Sequence, residues 1–198
     1  SRGDGQSFWS ASGGSGRKHD GSEMQTGDYT CFADLQRAMP PWLSEGLKRS
    51  GFDKLKPIQK EVLPLALAGK DIIGIAPTGS GKTLAFLVPA LVHAAGQAPP
   101  RQTSDGPLAL VLVPTRELAV QIGAVAEKLL QPSWGSSSAS SRDSGGRWGS
   151  SSKTEGLSVS VLYGGARRMD QLQALRRQKR THLIVATTGR LLDFVCDQ

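Results

Sequence analysis

The sequence is poor in cysteine and has no long hydrophobic run, and both absences narrow the class of protein. Its 198 residues include two cysteines, Cys31 and Cys196, whose spacing fits neither a disulfide framework nor a zinc site. This low cysteine content favours a reducing, intracellular compartment. The nucleus or cytoplasm is favoured over an organelle. No apolar stretch approaches the roughly 18 residues that a membrane span needs, so we expect no membrane partner.

Hydrophobic residues are also scarce. They make up 38% of the chain, which indicates that disordered segments dilute the core of a compact domain. The Gly/Ser-rich residues 1–29 predict a disordered tail, and residues 30–198 are enough for one domain. Within it, residues 131–155 contain Trp-Gly-Ser-Ser-Ser twice and predict a low-complexity insertion, either disordered or functional. The net charge of +7 fits a polyanionic partner but does not require one.

The segment Ala-Pro-Thr-Gly-Ser-Gly-Lys-Thr predicts a phosphate-binding loop, or P-loop. It follows an apolar run at 71–75 that we predict to be a strand, and it precedes a helix beginning near Gly81. Glycines let the backbone curl and direct its N–H groups inward. Lys82 is placed to reach the β- and γ-phosphates, and the Thr83 hydroxyl is placed to ligate Mg²⁺; we take both as catalytic candidates. The predicted nucleotide-binding residues of the loop are Ala76, Pro77, Thr78, Gly79, Ser80, Gly81, Lys82 and Thr83.

Helical and strand patterns alternate along the rest of the chain. Further strands are predicted at 108–113, 157–162 and 182–186, because each is a short apolar or alternating run. Helices are predicted around them, and one of these, at 167–178, is basic. This order is typical of an α/β fold with a parallel sheet and helices on both faces. Ligands of such sheets bind at the carboxyl ends of the strands.

Three short polar motifs follow the later strands at those ends. Thr115 can cap the helix that it begins, and glycine pairs let a backbone approach closely. Each motif alone is more simply interpreted as a helix cap or a turn. Together, after a P-loop, they suit a nucleic-acid backbone running past several phosphate sites without base readout. The motifs comprise Pro114, Thr115, Arg116 and Glu117, then Gly164 and Gly165, then Thr187, Thr188, Gly189 and Arg190.

Taken together, these residues resemble the first RecA-like domain of a DEAD-box RNA helicase over about residues 32–195. The matching stretches are the Q motif at 51–59 with Phe32 upstream, motif I at 76–83, motif Ia at 114–119, the GG motif at 164–165 and motif Ib at 187–190. The resemblance implies a RecA-like P-loop NTPase fold and an ATP-dependent RNA helicase with ATP and Mg²⁺ as cofactors. It also implies that Phe52 stacks on adenine and that Gln59 hydrogen-bonds to it. Motifs Ia, GG and Ib would then contact RNA, mainly through its phosphate backbone.

The sequence departs from the family pattern at two points. The Q motif usually has Pro-Thr where this chain has Leu55 and Lys56, and motif Ib usually has Pro where it has Thr188. No Asp-Glu pair occurs in the 198 residues, so the Asp-Glu-Ala-Asp motif and the second RecA-like domain are absent from them. We therefore expect a C-terminally truncated domain that does not hydrolyse ATP usefully alone and that leaves strand edges unpaired.

Other functions stay open at this point. A non-enzymatic RNA-binding pseudo-helicase would keep the phosphate-lined edge, and another superfamily 2 helicase would act on DNA. The basic helix is either a second RNA site or a solvated face. The RNA substrate, the pathway and the protein partners are not specified by the sequence.

Overall fold

The computed structural model describes residues 29–97, 106–131, 157–178 and 181–196. The predicted tail and most of the predicted insertion lie outside these ranges, so both stay predictions. No helix in the described ranges is both long and apolar enough to cross a membrane. The elements in chain order are a 3₁₀ helix at Phe32–Ala38, α1 Pro41–Arg49, α2 Pro57–Leu67, α3 Lys82–Gly96, β1 Ala109–Val113, α4 Arg116–Leu130, β2 Val159–Leu162, α5 Arg168–Arg177, β3 Leu183–Thr187 and α6 Thr188–Cys196.

The three strands form a parallel sheet in the order β1-β3-β2. Val113 of β1 pairs with Thr187 of β3, and Leu162 of β2 pairs with Ala186, so the strands finish almost level. The loops that follow them therefore leave from one edge of the sheet. This confirms the predicted α/β architecture and brings the three strand-end motifs together.

The central strand β3 is buried on both of its faces. Leu183 and Val185 belong to a core cluster shared with α1, α3 and α4. Ile184 and Ala186 belong to a second cluster, against which residues of α5 and α6 pack. The alternation of neighbouring side chains between the two clusters is what a strand covered on both faces requires.

The prediction of a strand at 71–75 is wrong. The segment has no regular secondary structure and is not one of the three strands of the sheet. Gly74 lies against α2, whereas the side chains of Ile73 and Ile75 are 94% and 93% exposed. An apolar run becomes a strand only when another strand satisfies its backbone groups, and no strand lies beside it in the described part of the chain. Leu110 and Leu112 of β1 are likewise exposed.

Two glycines allow α4 to pack closely against its neighbours. A Cβ on Gly46 of α1 would lie 2.5 Å from the carbonyl oxygen of Leu129 in α4. A Cβ on Gly123 of α4 would collide with the Val161 side chain of β2. These contacts fix the position of α4, whose first turn carries motif Ia at the sheet edge.

Candidate nucleotide and nucleic-acid site

The P-loop has the backbone conformation that its glycines predicted. Gly79 has a φ of +74° and Gly81 a φ of +93°, values that side-chain-bearing residues rarely adopt. Gly81 is the N-cap of α3, and Lys82 and Thr83 are its first two residues. The free N–H groups of this helix end and its dipole therefore face the loop, which favours an anion there.

The Lys82 side chain lies across the loop. Its ammonium group donates hydrogen bonds to the carbonyl oxygens of Ala76, at 2.6 Å, and Pro77, at 2.7 Å. An ammonium group has three N–H donors, so a third is available to an incoming anion. The loop backbone thus holds the Lys82 ammonium group close to the N-terminus of α3, where an anion is favoured.

Gln59 lies beneath the P-loop and connects it to the start of α2. Its side chain is 2% exposed, its Oε1 accepts from the Lys56 N–H at 2.9 Å, and its Nε2 donates to the Gly81 carbonyl at 2.9 Å. A Cβ on Gly81 would lie 2.5 Å from that Nε2 atom, so only glycine fits there. The structure therefore joins Gln59 to the loop. The predicted hydrogen bonding of Gln59 to adenine did not imply this contact.

Lys56 makes a second contact between the start of α2 and the loop. Its Nζ donates to the Gly79 carbonyl oxygen at 2.7 Å, and its stem lies against Gly81. Sequence reasoning noted Lys56 only as a departure from the usual threonine and missed this role. The length and charge of the side chain were the available signal.

Phe52 lies apart from these contacts. It is half-buried and packs on the main core cluster. With Phe32 and Ser44 it lines a cavity of about 150 Å³ whose lining contains no P-loop residue. Phe32 itself is buried. The stacking of Phe52 on adenine therefore stays a prediction.

The Q motif is held to the preceding segment by a short antiparallel contact. The Leu55 N–H donates to the Thr30 carbonyl, and the Phe32 N–H donates to the Asp53 carbonyl. The Asp34 carboxylate fixes the same segment by accepting from the backbone N–H groups of Cys31 and Thr30. These bonds, that of Cys31 first, lower the pKa of Asp34 from 3.8 to about 2.

At the carboxyl ends of the strands, motif Ia meets the GG motif. Thr115 caps α4 as predicted, because its hydroxyl accepts from the Leu118 N–H at 3.3 Å. The Arg116 guanidinium lies over the Tyr163 ring, 4.8 Å from its centroid, and an added Cβ on Gly165 would lie 3.4 Å from Arg116 Nη1. Tyr163 was missed by sequence reasoning, although it directly precedes the glycine pair. The predicted residues Pro114, Thr115, Arg116, Glu117, Gly164 and Gly165 are all exposed.

Motif Ib is connected to the same place from the other side. The Arg190 side chain is only 9% exposed; its Nη2 donates to the Ala166 carbonyl at 3.0 Å, and its Nε lies 3.7 Å from Asp193. Arg190 therefore holds the turn that follows the glycine pair, whereas Thr188 and Gly189 are exposed and Thr187 is half-buried. The three motifs form one surface, which we call the strand-end surface.

The loop residues fit a phosphate chain. The two glycines and Lys82 are joined by Ser80, whose Oγ atom is buried without a hydrogen-bond partner in the described ranges. A hydroxyl in this state can donate a hydrogen bond to a bound ligand. For a metal, the described part of the chain contains no group of three or more His, Cys, Asp or Glu side chains placed to hold one. The Thr83 hydroxyl, with phosphate oxygens, would be the protein ligand of a Mg²⁺ ion at this loop, and this role stays a prediction.

Comparison with known proteins identifies the class to which this fold and loop belong. The family model of the DEAD/DEAH box helicases matches residues 56–198, more than half of the chain. The chain therefore belongs to the DEAD/DEAH box helicase family. This confirms the resemblance drawn from the motifs.

Individual relatives agree. The chain is 42% identical over 164 residues to DEAD-box ATP-dependent RNA helicase 20 of Arabidopsis thaliana, covering 83% of the chain and 27% of that protein. It is 40% identical over 156 residues to DEAD-box ATP-dependent RNA helicase 30 of Oryza sativa subsp. japonica, covering 79% of the chain and 20% of that protein. The chain thus spans about a quarter or less of the length of these relatives.

Solved structures of helicases share the fold. The RNA helicase Prp28 from Chaetomium thermophilum bound to ADP superposes with a TM-score of 0.61 at 36% identity, covering 82% of this chain and 34% of that one. The yeast DEAD-box splicing factor Prp28 superposes with a TM-score of 0.65 at 30% identity, covering 84% of this chain and 34% of that one. These likenesses confirm the RecA-like fold.

Proposed function

We propose that this chain is the ATP-binding and RNA-contacting part of an ATP-dependent RNA helicase of the DEAD-box type. The parent protein would couple ATP binding and hydrolysis to RNA strand separation or to remodelling of RNA–protein complexes. The observation that carries the proposal is the strand-end surface, where Arg116, Gly165 and Arg190 bring three motifs together in a chain that also carries a P-loop. The names of the relatives, which are ATP-dependent RNA helicases, support it.

In the proposed nucleotide site, backbone N–H groups of residues 79–83 bind the phosphates. Lys82 exchanges its contacts with Ala76 and Pro77 for the β- and γ-phosphate oxygens, so its charge is carried to the place where negative charge grows during transfer. Mg²⁺, held by Thr83 and the phosphates, would neutralise part of that charge. Orientation of the attacking water is assigned to residues of the parent protein, because no Asp-Glu pair lies in this sequence.

Adenine recognition is assigned to Phe52 and Gln59. The Gln59 amide already uses one Nε2 hydrogen and one Oε1 lone pair on the backbone of Gly81 and Lys56. An amide has a second hydrogen on nitrogen and a second lone pair on oxygen, which are the groups that pair with the adenine N7 and N6. A side chain this buried needs a small opening between α2 and the loop for adenine to reach it.

On the strand-end surface, the exposed backbone of Pro114–Glu117, Gly164, Gly165, Thr188 and Gly189 is proposed to contact RNA phosphates. The Arg116 guanidinium supplies positive charge beside the N-terminus of α4, and the cap by Thr115 leaves other N–H groups of that turn free. Arg190 acts indirectly, by holding the turn at Ala166. Contacts of this kind recognise the backbone rather than the bases.

The test is RNA-stimulated ATP hydrolysis by the full-length parent protein. We expect hydrolysis that requires RNA, is lost in Lys82→Ala, and is unchanged in Lys60→Ala, which alters an exposed lysine of α2. The 198 residues alone should bind nucleotide without useful hydrolysis. Retention of RNA binding without any hydrolysis by the parent would favour the non-enzymatic RNA-binding module, and preference for DNA over RNA would favour another helicase of the superfamily.

A further inference from the structure

Lys56 reaches the P-loop from the start of α2. It is the N-cap residue of α2, it is exposed, and its Nζ donates to the Gly79 carbonyl at 2.7 Å. Threonine, the usual residue at this position of the motif, has a side chain too short to make that contact from the same backbone. The contact is therefore a property of this chain, over and above the motif that it resembles.

Few other contacts restrain the backbone of Gly79. A Cβ placed on Gly79 would meet no atom of the described part of the chain within 4 Å, whereas Gly81 is packed against Gln59 and Lys56. The next amide, that of Ser80, makes a long turn hydrogen bond of 3.4 Å to the Pro77 carbonyl. A glycine at positive φ without packing has many alternative conformations, so a hydrogen bond to its carbonyl has a large effect on its order.

The direction of the peptide bond connects this contact to the phosphate site. In a trans peptide unit the C=O of one residue and the N–H of the next point in opposite directions. A cation on the Gly79 oxygen therefore directs the Ser80 N–H away from α2 and polarises it, which strengthens its bond to an anion. Gln59 acts in the same way on the next peptide but one, through the Gly81 oxygen and the Lys82 N–H.

We propose that Lys56 is a positioning residue of the nucleotide site. Its ammonium group fixes the peptide between Gly79 and Ser80, so that the Ser80 N–H can exchange its long bond to the Pro77 carbonyl for a phosphate oxygen, and this raises the affinity for di- and triphosphates. The proposal rests on the proposed function, because it takes the loop to bind a nucleotide. Lys56 itself stays on the outer face and does not contact the phosphates.

The first experiment uses the protein without nucleotide and measures amide hydrogen exchange of peptides spanning residues 76–83. Lys56→Met keeps the length of the side chain and removes its charge, so exchange at Ser80 should rise several-fold. Lys56→Arg should restore most of the protection, and Lys60→Met should have no effect. Unchanged exchange in Lys56→Met would overturn the proposal, and so would a rise that Lys56→Arg does not reverse.

The second experiment compares ADP with AMP by equilibrium titration of the parent protein. Lys56→Met should weaken ADP by about five- to tenfold, the range for one exposed charge-assisted hydrogen bond, and should leave AMP within about twofold. In ATP hydrolysis the KM should rise while kcat changes little. An equal loss for AMP would overturn the proposal. Failure of the wild type to bind any nucleotide would instead reject the proposed function, and the exchange experiment would still decide whether Lys56 orders the loop.

Discussion

Replacing Gln59 by leucine tests whether the start of α2 supports the P-loop. Gln59→Leu keeps the size of a side chain that is 2% exposed, and it removes both the acceptor for the Lys56 N–H and the donor to the Gly81 carbonyl. If the two bonds order the loop, the variant should be less stable, and the amides of Gly81 and Lys82 should exchange faster.

The expected loss of stability depends on which hydrogen bonds the Lys56 N–H and the Gly81 carbonyl oxygen can still make in the variant. Each hydrogen bond contributes about 0.5–1.5 kcal/mol net. The Lys56 N–H belongs to an exposed residue and regains water, and the Gly81 oxygen keeps a long bond of 3.4 Å from the Ala85 N–H. The loss should therefore lie toward the lower part of the sum, at about 1–2 kcal/mol in the free energy of unfolding.

The assay is urea unfolding followed by far-ultraviolet circular dichroism, together with amide exchange of the P-loop peptides. Gln59→Glu keeps an acceptor for the Lys56 N–H but places a carboxylate against the Gly81 oxygen, so it should lose loop protection while keeping the start of α2. Lys60→Leu is the matched control on the exposed face. Gln59→Leu with wild-type stability and wild-type exchange would refute the support that we assign to this side chain.

Three further predictions concern the fold and the strand-end surface. Gly46→Ala should destabilise the fold by about 1–3 kcal/mol, because its Cβ would lie 2.5 Å from a backbone oxygen of α4, whereas Gly106→Ala, whose Cβ would meet no atom of the described residues within 4 Å, should be neutral in the same unfolding assay. The Asp34 pKa of about 2 lies below its usual 3.8, so its stabilising effect should be complete above pH 3.8 and lost as the pH falls through 2; Asp34→Asn should remove this acid dependence, and an unchanged acid profile would contradict it. Arg116→Ala should weaken RNA binding similarly for all sequences and lower the salt slope by about one, and a loss confined to one sequence would argue for base readout.

Much of the fold could be predicted from local patterns. Pro57 in the first turn and Gly69 after the last residue indicated the limits of α2, which the structure gives as Pro57–Leu67. Thr115 before an apolar helix pattern predicted the cap that the structure contains. These features depend on neighbouring residues in the sequence, so periodicity and capping residues are sufficient to find them.

The features that were missed depend on residues distant in sequence. The run at 71–75 has strand composition, but a strand needs a partner, and its isoleucines face solvent in this structure. Arg190 was expected to contact RNA, which stays a prediction, but the hydrogen bond from its guanidinium to the Ala166 carbonyl was not foreseen. Gln59 and Lys56 lie more than 20 residues before the loop carbonyls that they bind. Such pairings follow from the packing of α2 against α3, which no local pattern specifies.

The account depends most on the P-loop as an adenine-nucleotide site. The direct test is equilibrium displacement of a fluorescent ADP analogue from the 198-residue chain by ADP, ATP and GDP, for the wild type and for Lys82→Ala. We predict binding that ADP and ATP reverse and GDP reverses poorly, weakened at least about tenfold in Lys82→Ala and unchanged in Lys60→Ala. Binding that is indifferent to Lys82, or equal displacement by GDP and ADP, would contradict the assignment.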